Sequence, residues 1–393
     1  MQPFTLLIKP SGSNCNVDCK YCFYKDRAPQ VGAGRQRMSE QVLEKLVKDY
    51  MQLRFSPAGF AWQGGEPTLM GLDFYKKVVE LQKKYGAAGQ EVGNSLQTNA
   101  ILFDDQWCRF LCDSKFLVGI SVDGPKELHD YYRLDHSGHG TFDKVMRAIE
   151  KCKEHKVEFN TLTLLNDRNV QYPDELFDFF IENGIKYLQF IPCVEIDPAI
   201  GEVEDFSISP QQYGEFMCRL FDHWYEYGPK GLSIRDFDSI LSYCLMGKHT
   251  ICTFDKQCSQ YIVIEHTGDA FCCDFFVGPA WRLGNIFETP IEKLAASSKK
   301  RAFARAKQNL CNKCLLCRHL ALCRGGCMKD RVPTACHSER SEESLLSLDK
   351  NNFGRESYFC EAYKRFFDYT MPRFMQIAAQ INASSVVKTQ HFI

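Results

Sequence analysis

The sequence has no apolar run that approaches the roughly 20 residues needed to cross a bilayer. Its N-terminus lacks the charged-then-apolar layout of a secretory signal. It also lacks an excess of either charge, since 48 Lys and Arg residues stand against 49 Asp and Glu, and the basic residues form no long block. These absences argue against a membrane protein, an exported protein and a protein that binds nucleic acid by charge. We therefore expect a cytoplasmic protein.

Cysteine, by contrast, is abundant, with 20 residues in a chain of 393. A reducing compartment does not keep disulfides, and a chain of this length can bury a large core without them. Ligation of zinc or of iron–sulfur clusters is the simplest explanation of so many thiols. The length alone favours two or three domains.

Three of these thiols lie within eight residues, at Cys15, Cys19 and Cys22. Three is an odd number for a disulfide framework and one short of a closed zinc site. Three thiolates can hold three irons of a cubane cluster and leave the fourth iron open to a small molecule. The alternative is that the three cysteines belong to the core or bind zinc.

The first 230 residues alternate strand-like and helix-like segments. Strands are predicted at residues 5–9, 60–63, 95–98, 116–122, 159–165 and 187–192. Helices are predicted at residues 39–53, 72–85, 105–114, 141–155, 172–183 and 209–227. Six successive βα units predict an α/β fold with a parallel sheet, a partial (β/α)6 barrel whose C-terminal strand ends carry the chemistry.

Cysteines crowd again after about residue 231. Eight of them make two complete four-ligand sets, and nine others are expected to be free thiols in helices and strands. We exclude Cys311 from the sets because the two-five-three spacing begins at Cys314. The eight are Cys252, Cys258, Cys273, Cys314, Cys317, Cys323, Cys327 and Cys360.

These patterns predict a core domain at residues 1–230 and a cysteine-rich domain at residues 231–383. Residues 335–357 are polar, charged and without periodicity, which predicts a flexible insertion, with a lid as the alternative. A closing helix is expected at residues 361–382, with Pro372 as a kink, before a disordered tail at residues 384–393.

The first cysteine group, with Tyr21 just before its last thiol, resembles the radical S-adenosylmethionine (radical SAM) enzymes. The segment Gln63-Gly64-Gly65-Glu66-Pro67 stands one βα unit later, as in that family, although in isolation it reads as a plain turn. The spacing of the later cysteines around Gly268 resembles the SPASM extension of these enzymes, which binds auxiliary iron–sulfur clusters. The resemblance therefore implies a radical SAM core followed by a SPASM domain.

The resemblance also implies particular roles. SAM would be the cofactor, and the open iron would chelate it. Gly65 and Glu66 would contact its amine, and Arg133 its carboxylate. Ser121 would contact its ribose or carboxylate, and Tyr21 and Val194 would lie beside its adenine. The alternatives to these SAM contacts are that Arg133 lies on the surface and that Val194 packs in the core. Together with Cys15, Cys19 and Cys22, two auxiliary sets make three [4Fe-4S] clusters: Cys252, Cys258, Cys273 and Cys327, and Cys314, Cys317, Cys323 and Cys360.

Across nearly the whole chain, order and spacing resemble the anaerobic sulfatase-maturating enzymes. The resemblance makes Asp274, in Cys273-Asp274-Phe275, the base in the oxidation of a cysteine or serine of a sulfatase to Cα-formylglycine. The alternative is that Asp274 is a surface or capping aspartate. Gln63 and Tyr24 would orient the substrate, an unfolded Cys/Ser-x-Pro-x-Arg segment, unless they only pack. A ferredoxin or flavodoxin is the expected electron partner, and we expect a monomer that binds neither nucleic acid nor membrane.

Three alternatives remain open at this point. A SPASM enzyme that forms thioether or carbon–carbon cross-links in a ribosomal peptide shares all the clusters, although only 14 residues precede Cys15, too few for a leader-binding domain. A radical-type carbohydrate or alcohol dehydrogenase would use the same base. A zinc-binding adaptor predicts colourless protein, whereas three cubanes predict brown protein with about twelve irons.

Overall fold

The computed structural model describes residues 2–25, 36–197, 200–331 and 355–390. Its strands are β1 (Thr5–Lys9), β2 (Ala58–Trp62), β3 (Val92–Thr98), β4 (Leu117–Ser121), β5 (Phe159–Leu165), β6 (Tyr187–Pro192), β7 (Ser233–Ile234), β8 (Tyr261–Glu265), β9 (Asp269–Phe271) and β10 (Arg282–Asn285). Its helices are α1 (Glu40–Met51), α2 (Leu72–Tyr85), α3 (Asp105–Asp113), α4 (Lys126–Tyr132), α5 (Phe142–Glu154), α6 (Pro173–Glu182), α7 (Pro210–Tyr227), α8 (Arg235–Met246), α9 (Ile291–Ala295), α10 (Ser298–Ala306), α11 (Asn312–Leu315), α12 (Leu320–Cys323) and α13 (Cys360–Gln390).

The chain divides into two compact units. The first unit comprises Met1–Leu162 and Cys258–Arg305, and the second comprises Thr163–Gln257 and Ala306–Ile393. The predicted domains at residues 1–230 and 231–383 were defined by sequence motifs, whereas the two units are defined by how compactly the chain folds. The predicted boundary therefore stays a prediction.

In the first unit, β1 lies between β2 and β8 and runs parallel to both. Strands β3 and β4 continue the parallel arrangement on the β2 side, and β4 pairs with the start of β5. The antiparallel strands β9 and β10 follow β8 on the other side. Because parallel strands end at the same edge of a sheet, the residues that follow β1, β2 and β8 come together there.

Local sequence explains where the helices begin. Ser39 precedes α1, and its hydroxyl accepts a hydrogen bond from the amide of Val42 at 3.2 Å. Ser209 and Gln212 form a reciprocal capping box at the start of α7. Such caps satisfy amides that have no partner within the helix. Both starts were predicted from the sequence.

In the second unit, β6 and β7 pair in parallel, and α13 packs against α7 and α8. The contact is aromatic, with Phe221 of α7 and Phe237 of α8 against Phe366 and Phe374 of α13. Buried aromatic rings contribute large apolar area together with favourable edge-to-face geometry. The second unit therefore has an aromatic core.

Several elements differ from the prediction. Helix α4 and strands β8 to β10 were not predicted, and α13 continues to Gln390, past the expected end at residue 382 and into the region expected to be disordered. Pro372 lies inside α13. The predicted insertion at residues 335–357 falls, up to residue 354, outside the described residues. Among the described helices, none combines the length and hydropathy needed to cross a bilayer.

Candidate active site

The first three-cysteine group lies in the loop that follows β1, and this loop rests directly on the Gly-Gly-Glu-Pro segment. The amide of Gly65 donates to the carbonyl of Gly12 at 2.8 Å, and the amide of Glu66 donates to that of Asn14 at 2.7 Å. A Cβ at position 65 would stand 2.1 Å from the Asn14 carbonyl oxygen. Only glycine allows the two backbones to approach this closely.

Two thiols of this loop, those of Cys15 and Cys19, are largely shielded from water. Burial raises the pKa of the Cys15 thiol to about 12 and that of Cys19 to about 11. The sulfur of Cys15 accepts a hydrogen bond from the Val17 amide at 3.4 Å and a longer one from the Asn99 side chain at 3.9 Å. Thiols in such surroundings become thiolates when they bind a metal.

In the part of the chain that the structure describes, no three His, Cys, Asp or Glu side chains converge on a site of single-ion size. The fit to a larger group depends on the chemistry of the donors: three thiols on one loop, with an amide and a carboxamide already directed at one sulfur. Hydrogen bonds to cluster sulfurs are among the features that tune iron–sulfur sites. The loop therefore fits an iron–sulfur cluster.

Glu66 is fully engaged by protein groups. Its Oε1 accepts hydrogen bonds from the hydroxyls of Thr68 at 2.6 Å and Thr98 at 2.7 Å, and its Oε2 accepts from the amide of Asn99 at 2.8 Å. Burial raises the pKa of this carboxyl, and the same hydrogen bonds oppose that rise. The side chain thus fixes the ends of β2 and β3 relative to each other.

Arg133 lies at the end of α4 and pairs with the buried Asp123. The guanidinium Nε is 2.9 Å from one carboxylate oxygen and its Nη2 is 3.2 Å from the other. The hydroxyl of Tyr21 donates to the same carboxylate, and the guanidinium carbon lies 5.6 Å from the centre of the Tyr21 ring. The third guanidinium nitrogen, Nη1, lies 3.8 Å from the sulfur of Cys19. Arg133 is therefore not a surface residue.

Two further residues predicted to contact SAM have defined partners. The hydroxyl of Ser121, at the end of β4, accepts a hydrogen bond from Gln97 at 3.1 Å. In the second unit, Val194 is buried, and its carbonyl accepts a hydrogen bond from the ammonium of Lys329 at 2.9 Å. The same ammonium forms an ion pair with Glu195 at 2.7 Å. Lys329 therefore fixes the backbone that follows β6.

The carboxylate of Asp274 is buried and held from two sides in the first unit. It forms an ion pair with Lys9, the last residue of β1. Its other oxygen accepts a hydrogen bond from the side chain of Gln63, just after β2, at 3.0 Å. The structure thus brings together two predicted site residues that stand 211 positions apart in the sequence.

A second buried carboxyl, Glu265, ends β8 beside this pair and is in register with Lys9. Its Oε1 accepts a hydrogen bond from the hydroxyl of Tyr24 at 2.6 Å, while Oε2 has no hydrogen-bond partner among the described residues. The Lys9 ammonium lies 4.3 Å from the centre of the Tyr24 ring. Burial raises the pKa of Glu265 to about 7, against the lowering effects of Lys9 and Tyr24.

The later cysteines are held by buried cations. In the first unit, the ammonium of Lys300 donates to the carbonyls of Cys258 at 3.1 Å, Tyr261 at 2.7 Å and Cys272 at 2.8 Å. Burial lowers the pKa of Lys300, while the charges of nearby thiols oppose that effect. The Tyr261 hydroxyl lies 3.2 Å from the sulfur of Cys273. A cation placed here reduces the cost of burying several thiolates together.

In the second unit, buried cations also bind backbone carbonyls beside cysteines. The ammonium of Lys307 donates to the carbonyl of Cys252 and, at 2.9 Å, to that of Thr253. The guanidinium of Arg331 donates to three carbonyls, including that of Gly325 at 3.2 Å. Gly325 in turn donates its amide to the sulfur of Cys323 at 3.4 Å. Satisfying several carbonyls from one buried cation fixes the loops on which the thiols stand.

Thiols of the set predicted from Cys314 to Cys360 lie near enough to affect one another's pKa, while their binding of one cluster stays a prediction. Burial raises the pKa of Cys314 to about 12, and the charges of Cys323 and Cys360 add to the effect. Cys317 acts on Cys323 in the same way. Cys311, excluded on spacing, also raises the pKa of Cys314 and so lies near that predicted ligand.

Sequence reasoning missed Lys9 and Glu265 as site residues, and Lys329 as the residue that fixes Val194. A usable signal existed for the first two. Each is a charged side chain that ends a short apolar strand, in Thr5-Leu6-Leu7-Ile8-Lys9 and in Tyr261-Ile262-Val263-Ile264-Glu265. A charge at the C-terminal end of a buried strand points to the functional edge of a parallel sheet.

Comparison with known families agrees with this arrangement. The model described as the Radical SAM superfamily matches residues 10–180, and the SPASM model, described as an iron-sulfur cluster-binding domain, matches residues 252–318. The fold and the site together define the radical SAM class with a SPASM extension, and confirm the fold class predicted from the sequence.

Relatives along the whole length identify the family. The cysteine-type anaerobic sulfatase-maturating enzyme of Clostridium perfringens is 39% identical over 97% of this chain and 100% of its own length. The serine-type enzyme of Bacteroides thetaiotaomicron is 35% identical over 94% of this chain and 90% of its own length. The solved structure of native anSMEcpe with bound AdoMet and Cp18Cys peptide has TM-score 0.86 and 37% identity, covering 97% of this chain and 100% of that chain. The chain belongs to the anaerobic sulfatase-maturating enzyme family.

Proposed function

We propose that this protein oxidises a cysteine or serine of a sulfatase polypeptide to Cα-formylglycine. The observation that carries the proposal is the buried Asp274 carboxylate, oriented by Lys9 and Gln63 in the same compact unit as the three-cysteine loop. A carboxylate fixed in this way can take a proton from a substrate held beside it. Family membership supplies the reaction class.

The cofactors proposed are SAM and three [4Fe-4S] clusters. Cys15, Cys19 and Cys22 would hold the cluster that binds SAM. Tyr21, Gly65, Glu66, Ser121, Arg133 and Val194 would hold SAM. The two auxiliary sets would be Cys252, Cys258, Cys273 and Cys327, and Cys314, Cys317, Cys323 and Cys360. When bound, SAM and its cluster supply a 5′-deoxyadenosyl radical that removes a hydrogen atom from the substrate Cβ.

Two of these side chains have surroundings that favour the proposed roles. The Asp123 carboxylate keeps the guanidinium of Arg133 directed along the Tyr21 ring. The remaining nitrogen, Nη1, lies 3.8 Å from the Cys19 sulfur, so it is the atom that could donate to a carboxylate ligand beside the cluster loop. The carboxylate of Glu66 is saturated with protein hydrogen bonds, so its contribution to SAM binding would be to fix the Gly65 backbone.

Asp274 would accept the proton of the substrate thiol or hydroxyl. Gln63 and Lys9 would keep its two oxygens oriented, and Gln63 and Tyr24 would border the substrate. One further electron must leave the substrate radical for the two-electron oxidation to balance. A ferredoxin or flavodoxin would take that electron, and the protein would act as a cytoplasmic monomer.

The test is anaerobic incubation with SAM, a chemical reductant and a peptide that carries the sulfatase Cys-x-Pro-x-Arg segment. We expect the cysteine side chain to lose sulfur and two hydrogens and to gain one oxygen on hydrolysis, as mass spectrometry would show. A serine peptide, expected to lose two hydrogens only, reports on the second substrate type. Deoxyadenosine release with both peptides unaltered would overturn the proposal.

A substitution at Asp274 tests its proposed role as the base. Asp274→Asn keeps the size of the side chain but removes the base, so formylglycine formation should fall on the order of 100-fold or more. Asp113→Asn is the matched control, because Asp113 is exposed on α3. Equal rates in the two variants would exclude Asp274 as the base.

A further inference from the structure

Two buried carboxyl groups of the first unit lie beside one buried ammonium group. The ammonium of Lys9 forms an ion pair with Asp274, and Lys9 is in register with Glu265 on the neighbouring parallel strand. Residues in register on adjacent strands direct their side chains to the same face of the sheet. Lys9 and Glu265 are both almost completely buried. The proposed mechanism uses Asp274 and Lys9 but assigns no role to Glu265.

The hydrogen bonds of Glu265 are those of a protonated carboxyl group. Its Oε1 accepts from the hydroxyl of Tyr24 at 2.6 Å, whereas Oε2 is buried without a hydrogen-bond partner among the described residues. An unpartnered charged oxygen is far more costly to bury than an unpartnered neutral hydroxyl. A proton on Oε2 leaves one cation, Lys9, matched by one anion, Asp274. Burial raises the pKa of Glu265 to about 7, and the charge of Asp274 adds to the rise.

The other charged groups near Glu265 do not alter this balance. Asp269, at the start of β9, also raises the pKa of Glu265, but it is paired with Arg282 at 2.6 Å. His266 follows Glu265 in the chain, and burial lowers its pKa, so its ring is mostly neutral near pH 7. Lys9 is the cation whose charge lowers the pKa of Glu265.

We propose that Glu265 is a positioning residue: while it holds a proton, Lys9 is left to Asp274, and once it is ionised it draws the Lys9 ammonium away from Asp274. This inference rests on the proposed function, in which Asp274 takes the substrate proton. The change itself is the transfer of one proton from Oε2 to solvent water, and no other bond forms or breaks.

The geometry gives the reason for this exchange of partners. An ionised Oε2 needs a hydrogen-bond donor, and the ammonium of Lys9 carries three donors on a flexible stem. When Lys9 turns toward Glu265, the Asp274 oxygen that Lys9 held loses its fixed contact. The other Asp274 oxygen keeps its hydrogen bond from Gln63. Asp274 is then held from one side only, and proton transfer from the substrate becomes slower.

The first test is the pH dependence of formylglycine formation in the cluster-loaded protein, with SAM, dithionite and the cysteine peptide. Glu265→Gln keeps the shape of the protonated side chain and cannot ionise, and Glu288→Gln, at an exposed position, is the control. With a pKa of about 7, the protonated fraction of Glu265 falls about tenfold between pH 6 and pH 8. The rate of Glu265→Gln should therefore equal the native rate at pH 6 and exceed it about tenfold at pH 8. The control should match the native protein at both pH values.

The second test observes Asp274 without turnover. The infrared band of its carboxylate is identified by its loss in Asp274→Asn, and a change of ammonium contact shifts such a band. We expect the band to shift between pH 6 and pH 8 in the native protein and to stay fixed in Glu265→Gln. Tyr24→Phe adds a second variant. Because the Tyr24 hydroxyl lowers the pKa of Glu265, its removal should move the shift of the band to higher pH.

Three results would overturn the proposal. One is a rate that changes with pH in the same way in Glu265→Gln and in the native protein. Another is an Asp274 band that does not respond to pH in the native protein. The third is a native rate above that of Glu265→Gln at pH 8, since ionised Glu265 would then assist the base. Native protein that forms no formylglycine at any pH would contradict the proposed function, and the infrared comparison would still decide whether Glu265 controls the contact of Lys9 with Asp274.

Discussion

Lys9 and Asp274 form a buried ion pair that joins the end of β1 to the loop after β9. Both charges are removed from water, so each depends on the other. Removing one partner of a buried pair leaves an uncompensated charge and costs roughly 3–5 kcal/mol. The pair also fixes one oxygen of the proposed base, while Gln63 fixes the other.

Lys9→Met should therefore destabilise the protein and reduce formylglycine formation, whereas Lys9→Arg should retain part of both because it keeps the charge. Anaerobic thermal unfolding and the peptide assay measure the two effects. A Lys9→Met protein with native activity would show that orientation of Asp274 does not depend on this ion pair.

Glu265 should make stability depend on pH. Its pKa rises from an ordinary 4.5 to about 7 in the folded protein. Between these values the folded protein holds a proton that the unfolded chain has released, so folding becomes less favourable as pH rises through this window. The full cost, on the order of 3 kcal/mol, is present above pH 7 and absent below about pH 4.5.

Glu265→Gln should remove that cost. The gain in thermal unfolding temperature over the native protein should be larger at pH 8 than at pH 5. Glu288→Gln, at an exposed position, serves as control. A gain that is the same at both pH values would show that Glu265 does not titrate between them, contrary to a pKa of about 7.

Gly65→Ala should disrupt the first cluster alone. The added methyl group would meet the Asn14 carbonyl oxygen at 2.1 Å and displace the cysteine loop. Iron content should fall by about four of about twelve atoms, with loss of SAM cleavage. Gly93→Ala is the matched control, since a Cβ there meets nothing within 4 Å. Full iron content in Gly65→Ala would show that the loop can move aside.

Lys329→Met should weaken the binding of SAM more than it slows the reaction at saturating SAM. The ammonium holds the carbonyl of Val194 at 2.9 Å, and Val194 is proposed to border the adenine. A tenfold rise in KM for SAM would correspond to about 1.4 kcal/mol. Lys329→Arg, which keeps a donor and the pairing with Glu195, should recover part of the loss. A change confined to kcat would instead place Lys329 in the chemical step.

The sequence predicted the parts that depend on local pattern. Strands β1, β5 and β6 and helix α2 begin and end where the periodicity placed them, and Ser39 caps α1 as expected. Helix α4 was missed because its seven residues are too short for a periodic signal. It nonetheless determines where Arg133 stands, at its C-terminal end.

Contacts between residues that lie far apart in the sequence could not be predicted from residue spacing. That β8 pairs with β1, and thus that Glu265 stands beside Lys9, follows from sheet order and register. The same holds for Cys311, whose spacing excluded it and whose side chain nevertheless lies near Cys314. The resemblance to a known family supplied the ligand sets because a family encodes three-dimensional relations that one chain does not display.

The single ammonium of Lys300 ties together the backbone at Cys258, Tyr261 and Cys272. These contacts join protein groups alone, so we expect this backbone to persist when a bound cluster is lost. Fresh iron and sulfide would then meet the same loops, and a cluster lost to oxygen would be replaced without replacing the polypeptide.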